Sequence, residues 1–165
     1  MGAQFMRLTT RDVPALPVGH WLVLNPSDRI VTLIGPESIS AQCRFSNSAF
    51  RLLFLLLRSP YGANYAELLA CLRCSETVFR NVFQAASYED ALAILAPQIN
   101  RWNKHLERSA QQGNVVLERE LKIVRRAAKE RHGVNSTLQQ HGFALTVKAM
   151  YRKGYLLTRT SSSKY

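Results

Sequence analysis

The stretch from Phe50 to Leu57 constrains the fold of this chain more than any other. Phe50, Leu53 and Leu57 share one helical face, and Leu52 and Leu56 widen it, so a helix here is apolar over most of its girth. Such a helix has little surface to offer water and is expected at the centre of a core. A membrane span is excluded, because the greasy run Leu52 to Leu57 is bounded by Arg51 and Arg58. It falls far short of the roughly 18 apolar residues that a span needs. Ser46 is suited to cap the helix, and Ser59-Pro-Tyr-Gly62 stops it.

Upstream, Trp21-Leu-Val-Leu24 and Arg29-Ile-Val-Thr-Leu-Ile34 flank the turn-forming Asn25-Pro-Ser-Asp28, the pattern of a β-hairpin. Gly35-Pro36 ends it, and Ser38 to Phe45 can add a third strand. Residues 1–19, broken by Pro14 and Pro17, read as an irregular lead-in. Downstream, Asn64 can cap a short helix from Tyr65 to about Leu72. Ser75 to Ala86 and Tyr88 to Leu95 look helical, and Pro97 can open a further segment carrying Ile99, Trp102 and Leu106. Gly113-Asn114 is a clear break. A long helix is expected from Val115 to Arg131, with Gly133 at its C′ position or in the connecting turn. Thr137 to Gln140 can form one helical turn. Phe143 to Met150 alternates, Tyr151-Arg-Lys-Gly154 turns, and Tyr155-Leu-Leu157 returns as a strand. The tail, 160–165, is expected to fray.

Charge is distributed unevenly along this pattern. The 165 residues carry 22 Lys and Arg against 11 Asp and Glu. Residues 1–114 hold 11 basic and 8 acidic side chains, whereas 115–165 hold 11 and 3. A basic third on a near-neutral body suits a polyanion such as nucleic acid.

Two basic features stand out within that third. With about 100° per residue and Leu121 at zero, Leu117, Leu121, Val124 and Ala128 form a narrow apolar stripe. Arg119, Lys122, Arg125, Arg126 and Lys129 gather on a broad adjacent face, with Glu120 and Ala127 on the far side. A helix that reads DNA needs this division, because Arg bonds guanine bidentately in the major groove while Lys and Arg neutralise phosphates. The following hairpin carries Lys148, Arg152, Lys153 and Arg159, and Gly154 allows a tight turn at its tip. A basic β-ribbon of this kind can lie on a phosphate backbone or enter the minor groove.

Here the chain resembles the winged-helix effector domains of OmpR/PhoB-type and ToxR/CadC-type transcription regulators. Leu145-Thr-Val-Lys-Ala-Met-Tyr-Arg-Lys-Gly-Tyr-Leu-Leu157 is similar to that family's wing, with Gly154-Tyr155 matching its Gly-Tyr pair. Leu121-Lys-Ile-Val-Arg-Arg-Ala-Ala-Lys129 stands where the family keeps its recognition helix. Trp21 to Arg44 resembles the N-terminal sheet, and Phe50 to Leu57 and Tyr65 to Leu72 the first two helices. The resemblance covers about two-thirds of the chain.

It implies an α+β fold: a winged helix-turn-helix with an N-terminal antiparallel sheet, a helical core and a C-terminal β-hairpin wing. The domain would span 20–159. It implies double-stranded DNA as partner and transcriptional regulation as function. The chain departs from the family at 73–112, where a helical insertion replaces a short loop. Because that loop often meets the transcription machinery, the insertion is expected to face away from DNA and to contact RNA polymerase, another regulator or a second subunit of a homodimer. No receiver domain precedes the sheet and no anchor follows the wing within these residues, so phosphorelay and transmembrane signalling are not carried over.

Two other segments compete as reader. Ser75 to Phe83 would offer Thr77, Arg80 and Asn81, and Ala96 to Arg108 would offer Arg101, Lys104 and Arg108. The segment 115–131 is preferred because it is the most basic and leads directly into the wing. A protein-interaction module built on 73–112, or a DNA- or RNA-binding protein without sequence preference, remains the alternative. Cys71-x-x-Cys74 is a lone CxxC, read as two small buried side chains rather than a metal site. No nucleotide-binding or hydrolase motif is present. No enzyme, cofactor or metal is therefore expected. Three cysteines, an odd number, suit a reducing, cytoplasmic compartment.

Overall fold

The apolar helix expected at the centre is there. In the computed structural model, which describes residues 5–160, α1 spans Asn47–Arg58 and is buried at every residue from Ala49 to Leu57. The Ser46 Oγ accepts from the Ala49 N–H at 3.2 Å, capping its N-terminus as expected.

Arg51 lies inside the core with them, 3% exposed, rather than marking an edge. Its Nη1 donates to the carbonyls of Cys71 at 3.1 Å and Cys74 at 2.7 Å, and its Nη2 to Glu76 Oε1 at 2.8 Å. These carbonyls end the second helix, where no backbone N–H remains to meet them. The guanidinium also covers the Phe79 ring, 4.7 Å from its centroid.

A four-stranded antiparallel sheet packs beside α1, in the order β1 (Met6–Leu8), β2 (Trp21–Asn25), β3 (Ile30–Ile34), β4 (Ile39–Arg44). The pairs Leu22–Leu33 and Leu24–Val31 are buried on its inner face. The lead-in is not irregular throughout, because β1 pairs with β2 and Leu8, Val13 and Leu16 enter the core. A three-residue strand is too short for its alternation to be read. At the other end, Thr160 donates its N–H to the Ala144 carbonyl, and residues 161–165 of the expected tail lie outside the described residues.

After α1 come the two-residue strand β5 (Ala63–Asn64), α2 (Tyr65–Arg73) and α3 (Glu76–Phe83). A capping box joins Asn64 and Glu67 at the start of α2. Phe79 and Phe83 of α3 meet Phe50 and Phe54 of α1, with centroids from 5.0 to 6.3 Å apart.

Then α4 runs unbroken over Tyr88–Gln112, with Pro97 inside it. The expectation that Pro97 opens a new segment is corrected. Proline deprives the Ala93 carbonyl of its donor at a cost of about 3 kcal/mol. Ala93 and Pro97 are both exposed, so water can serve that carbonyl. Burial of Ala91 and Leu95, with Ile94, Ile99, Trp102 and Leu106 packed half-buried against the core, offsets the loss. The segment 73–112 is therefore helical as expected, and its apolar positions help to complete the core.

Gly113, at φ +128°, turns α4 into α5 (Asn114–Lys129), and the short α6 (Val134–Gln140) follows. Helix α5 ends two residues earlier than expected. Gly133 serves the connecting turn and is not left-handed; a Cβ there would meet the Arg126 and Ala127 carbonyls at 2.8 Å. The hairpin of β6 (Leu145–Met150) and β7 (Gly154–Arg159) closes the chain, with β5 on its far side in the order β5-β7-β6. Gly154 is needed for closeness and not for the tip, since a Cβ would collide with the Ala63 carbonyl oxygen. The left-handed residue of the tip is Arg152, at φ +58°.

On the outer edge, the Asn135 side chain bonds both backbone groups of Val147. Its Nδ2 donates to the carbonyl at 2.9 Å and its Oδ1 accepts from the N–H at 2.6 Å. The whole is α+β, with an N-terminal antiparallel sheet, a helical middle and a C-terminal hairpin sheet. Among the described residues no helix is long and apolar enough to cross a membrane.

Candidate nucleic-acid interface

Helix α5 is about 24 Å long and divides its surface cleanly. Leu121, Val124, Ala127 and Ala128 are buried, and Leu117 and Ile123 are half-buried. The apolar face is thus wider than the stripe read from the sequence: Ala127 belongs to it, and Glu120 is half-buried against the preceding helix. Glu120 Oε1 lies 3.0 Å from His105 Nε2 of α4. Opposite, Arg119, Lys122, Arg125, Arg126 and Lys129 are all exposed.

These five cations differ in freedom. Arg125 donates to Glu118 at 2.8 Å, and this bond holds its guanidinium pKa above the usual value. Arg126 lies 3.9 Å from Glu130 in an exposed pair of little energetic weight. Arg119, Lys122 and Lys129 have no acidic partner among the described residues. Successive angles of about 160°, 100°, 140° and 80° put Arg119, Lys122, Arg126 and Lys129 on one stripe.

The hairpin joins this stripe through Tyr155. Lys129 Nζ sits 5.9 Å from the centre of the Tyr155 ring. Burial pushes the Tyr155 phenol above its ordinary pKa, and nearby Arg125 opposes that rise. Tyr155 in turn packs edge-on against Tyr65 at 6.1 Å, and the Tyr65 N–H donates to the Lys153 carbonyl at 3.0 Å. The base of the tip is therefore fixed to α2 beside α5. At the tip, Arg152 and Lys153 are exposed, and the Arg152 guanidinium covers the Tyr151 ring at 5.0 Å. Tyr151 is 81% exposed and was not singled out by the sequence reading.

The remaining hairpin cations lie elsewhere. Lys148 pairs across the ladder with Leu156, while Ala149 pairs with Tyr155. Side chains alternate, so Lys148 projects from the face turned away from α5. The Arg159 guanidinium is held by the scaffold: Nε donates to the Ala15 carbonyl at 3.1 Å and Nη2 to that of Leu16 at 2.6 Å.

The two competing reader segments are also exposed. Thr77, Arg80 and Asn81 line one side of α3, but this eight-residue helix offers a single cation there. Arg101, Lys104 and Arg108 share the outer face of α4. Asn103 and Leu106 of that helix border a cavity of about 490 Å³ together with Arg152 and Lys153. The three α4 cations lie about 140–160° around the helix from Leu106 and so point away from the hairpin. Of these three sets of cations, the α5 stripe is the one beside the hairpin.

Cys71 and Cys74 are both buried. The Cys71 Sγ donates to the Arg51 carbonyl and the Cys74 Sγ to that of Cys71. Burial drives the Cys71 thiol far above its ordinary pKa.

In comparisons with known proteins the chain matches no family model, no curated protein and no solved structure.

Proposed function

We propose that this chain is a winged-helix DNA-binding transcription regulator. The stripe Arg119, Lys122, Arg126 and Lys129 enters the major groove, and Arg152 and Lys153 grip the backbone or minor groove. The observation that carries this reading is the junction at Tyr155, which sets the unpaired cations of α5 beside an exposed basic tip. A helix about 10–12 Å across fits a major groove about 12 Å wide. The sheet order β5-β7-β6, which ties the strand after α1 to the hairpin, suits the winged-helix reading. Lys148 and Arg159, on the far face and in the scaffold, take no part in the grip proposed here. The outer face of α4, bearing Arg101, Lys104 and Arg108, is the surface left for a protein partner.

The test is selection of bound duplexes from a random pool, followed by salt-titrated binding to the selected and to random duplexes. Lys122→Ala with Lys129→Ala should lower the salt slope by about 2, since each lost phosphate contact releases one counterion fewer. Reversing the charges of Arg101 and Lys104 should leave that slope in place. A pool that yields no enriched sequence, with equal binding to all duplexes, removes the regulatory reading.

A further inference from the structure

The exposed face of α5 has two flanks. The hairpin lies on one, on the side of Glu118, Arg125 and Tyr155. On the other, a cavity of about 410 Å³ opens between α5, the start of α1 and the end of α2. Ile123 and Ala127 of α5 border it, about 140–180° around the helix from the hairpin side, with Glu130 just past the helix end.

Cations from separate elements converge on this cavity. Arg73 comes from the last turn of α2, Arg126 from α5, and Arg131 from the turn that follows. His132 lines it as well. Arg73 and Arg131 are exposed, and among the described residues neither has an acidic or hydrogen-bonded side-chain partner. The sole acid of the lining is Glu130, 3.9 Å from Arg126 and more than half exposed. Three guanidiniums around one cavity with a single weak counter-charge repel one another, and an anion between them relieves that repulsion.

The start of α1 adds donors of the same sign. Ser46 and Ser48 line the cavity, and α1 has no acid in its first turn. The Ser46 hydroxyl already serves the Ala49 N–H and reaches the His132 carbonyl at 3.5 Å, which holds the Arg131–His132 turn against α1. The Ser48 hydroxyl is exposed and open to a ligand. Guanidiniums in fork geometry with hydroxyl and helix-end donors suit the oxygens of a phosphate group.

A helix lying in the major groove has a phosphate strand along each side. We infer that this cavity holds a backbone phosphate of one DNA strand while the hairpin holds the other strand, so that α5 is gripped from both flanks. This rests on the reading of α5 as the DNA-contacting helix. None of Arg73, Arg131, His132 and Ser48 was marked by the sequence, because α1, α2 and the α5–α6 turn meet only in the fold.

The test uses the full chain in two forms. Arg73→Ala with Arg131→Ala should reduce the salt slope by about 1 and weaken binding at 0.15 M salt by roughly 5-fold, for selected and random duplexes alike. Ser48→Glu should weaken DNA binding several-fold while thermal stability holds or rises, because an acid in the first turn suits the helix dipole but repels phosphate. A structural role for the cavity predicts no such split. Wild-type binding by both variants, with binding still weakened in the Lys122/Lys129 variant, overturns the cavity assignment and leaves the α5 reading intact. Wild-type binding by the Lys122/Lys129 variant as well sinks both. Saturable binding of inorganic phosphate at micromolar concentration by the DNA-free protein, lost in the Arg73/Arg131 variant, would assign the cavity to a small phosphate ligand and overturn the DNA-strand proposal.

Discussion

Helices α1 and α5 both carry arginine, and the fold treats the two in opposite ways. In α1, Arg51 is swallowed by the core because the chain brings it partners: two carbonyls at the end of α2 and the carboxylate that opens α3. In α5, Arg119, Lys122 and Lys129 meet nothing of the kind and stay in water. Arg51 and Arg119 share one side-chain chemistry, so their difference lies in what the neighbouring backbone leaves unsatisfied. Arg159 falls between the two cases, exposed yet bonded to two carbonyls of the lead-in. A cation count overstates the binding surface by every arginine that a carbonyl has claimed.

Breaking the buried arrangement should have the largest effect. Arg51→Leu keeps the volume apolar but strands the Cys71 and Cys74 carbonyls without donors. A loss of about 3 kcal/mol is expected, read as a fall of roughly 10 °C in thermal midpoint. A midpoint unchanged within 2 °C or so would show that Arg51 is no more structural than the α5 cations. Arg159→Gln should cost less, about 1 kcal/mol, and should leave the salt slope for DNA unchanged. A slope reduced as much as by loss of Lys122 would move Arg159 into the binding set.

The smallest expected change has the opposite sign. Arg152 sits at φ +58°, where a side chain is strained by about 1 kcal/mol. Arg152→Gly should therefore raise stability by about 0.5 kcal/mol in chemical denaturation, yet weaken DNA binding several-fold. Loss of both together would mean that the tip is held for folding and not for contact.

Much of this was legible in the sequence because it is local. The periodicity of Phe50 to Leu57, the caps Ser46 and Asn64, the Asn25–Asp28 turn and the two faces of α5 all follow from residues within a few positions of one another. What failed to show is long-range. Pro97 reads as a breaker until the packing of Leu95 and Trp102 is known to hold its helix together. The burial of Arg51 depends on carbonyls 20 and 23 residues away, and the tie of Arg159 spans 144 and 143. Gly154 was rightly marked as special, but for the wrong reason: its crowding comes from Ala63, ninety-one positions earlier. For the site, composition and wheel found the α5 stripe and the tip. They could not tell Lys148 from Lys153, since a difference of face appears only once the ladder register with Tyr155 is fixed.

The amide of Asn135 has a consequence for how copies of this protein treat one another. The hairpin sheet ends at β6, whose outward backbone groups would otherwise be a template for any extended chain that drifted past. By offering an acceptor and a donor to Val147, Asn135 imitates one residue of a missing neighbour strand. A would-be fourth strand must first evict it, and eviction leaves a buried-side amide without partners. The hairpin sheet is thereby terminated from within, so copies of this protein can stand shoulder to shoulder without fusing along this edge.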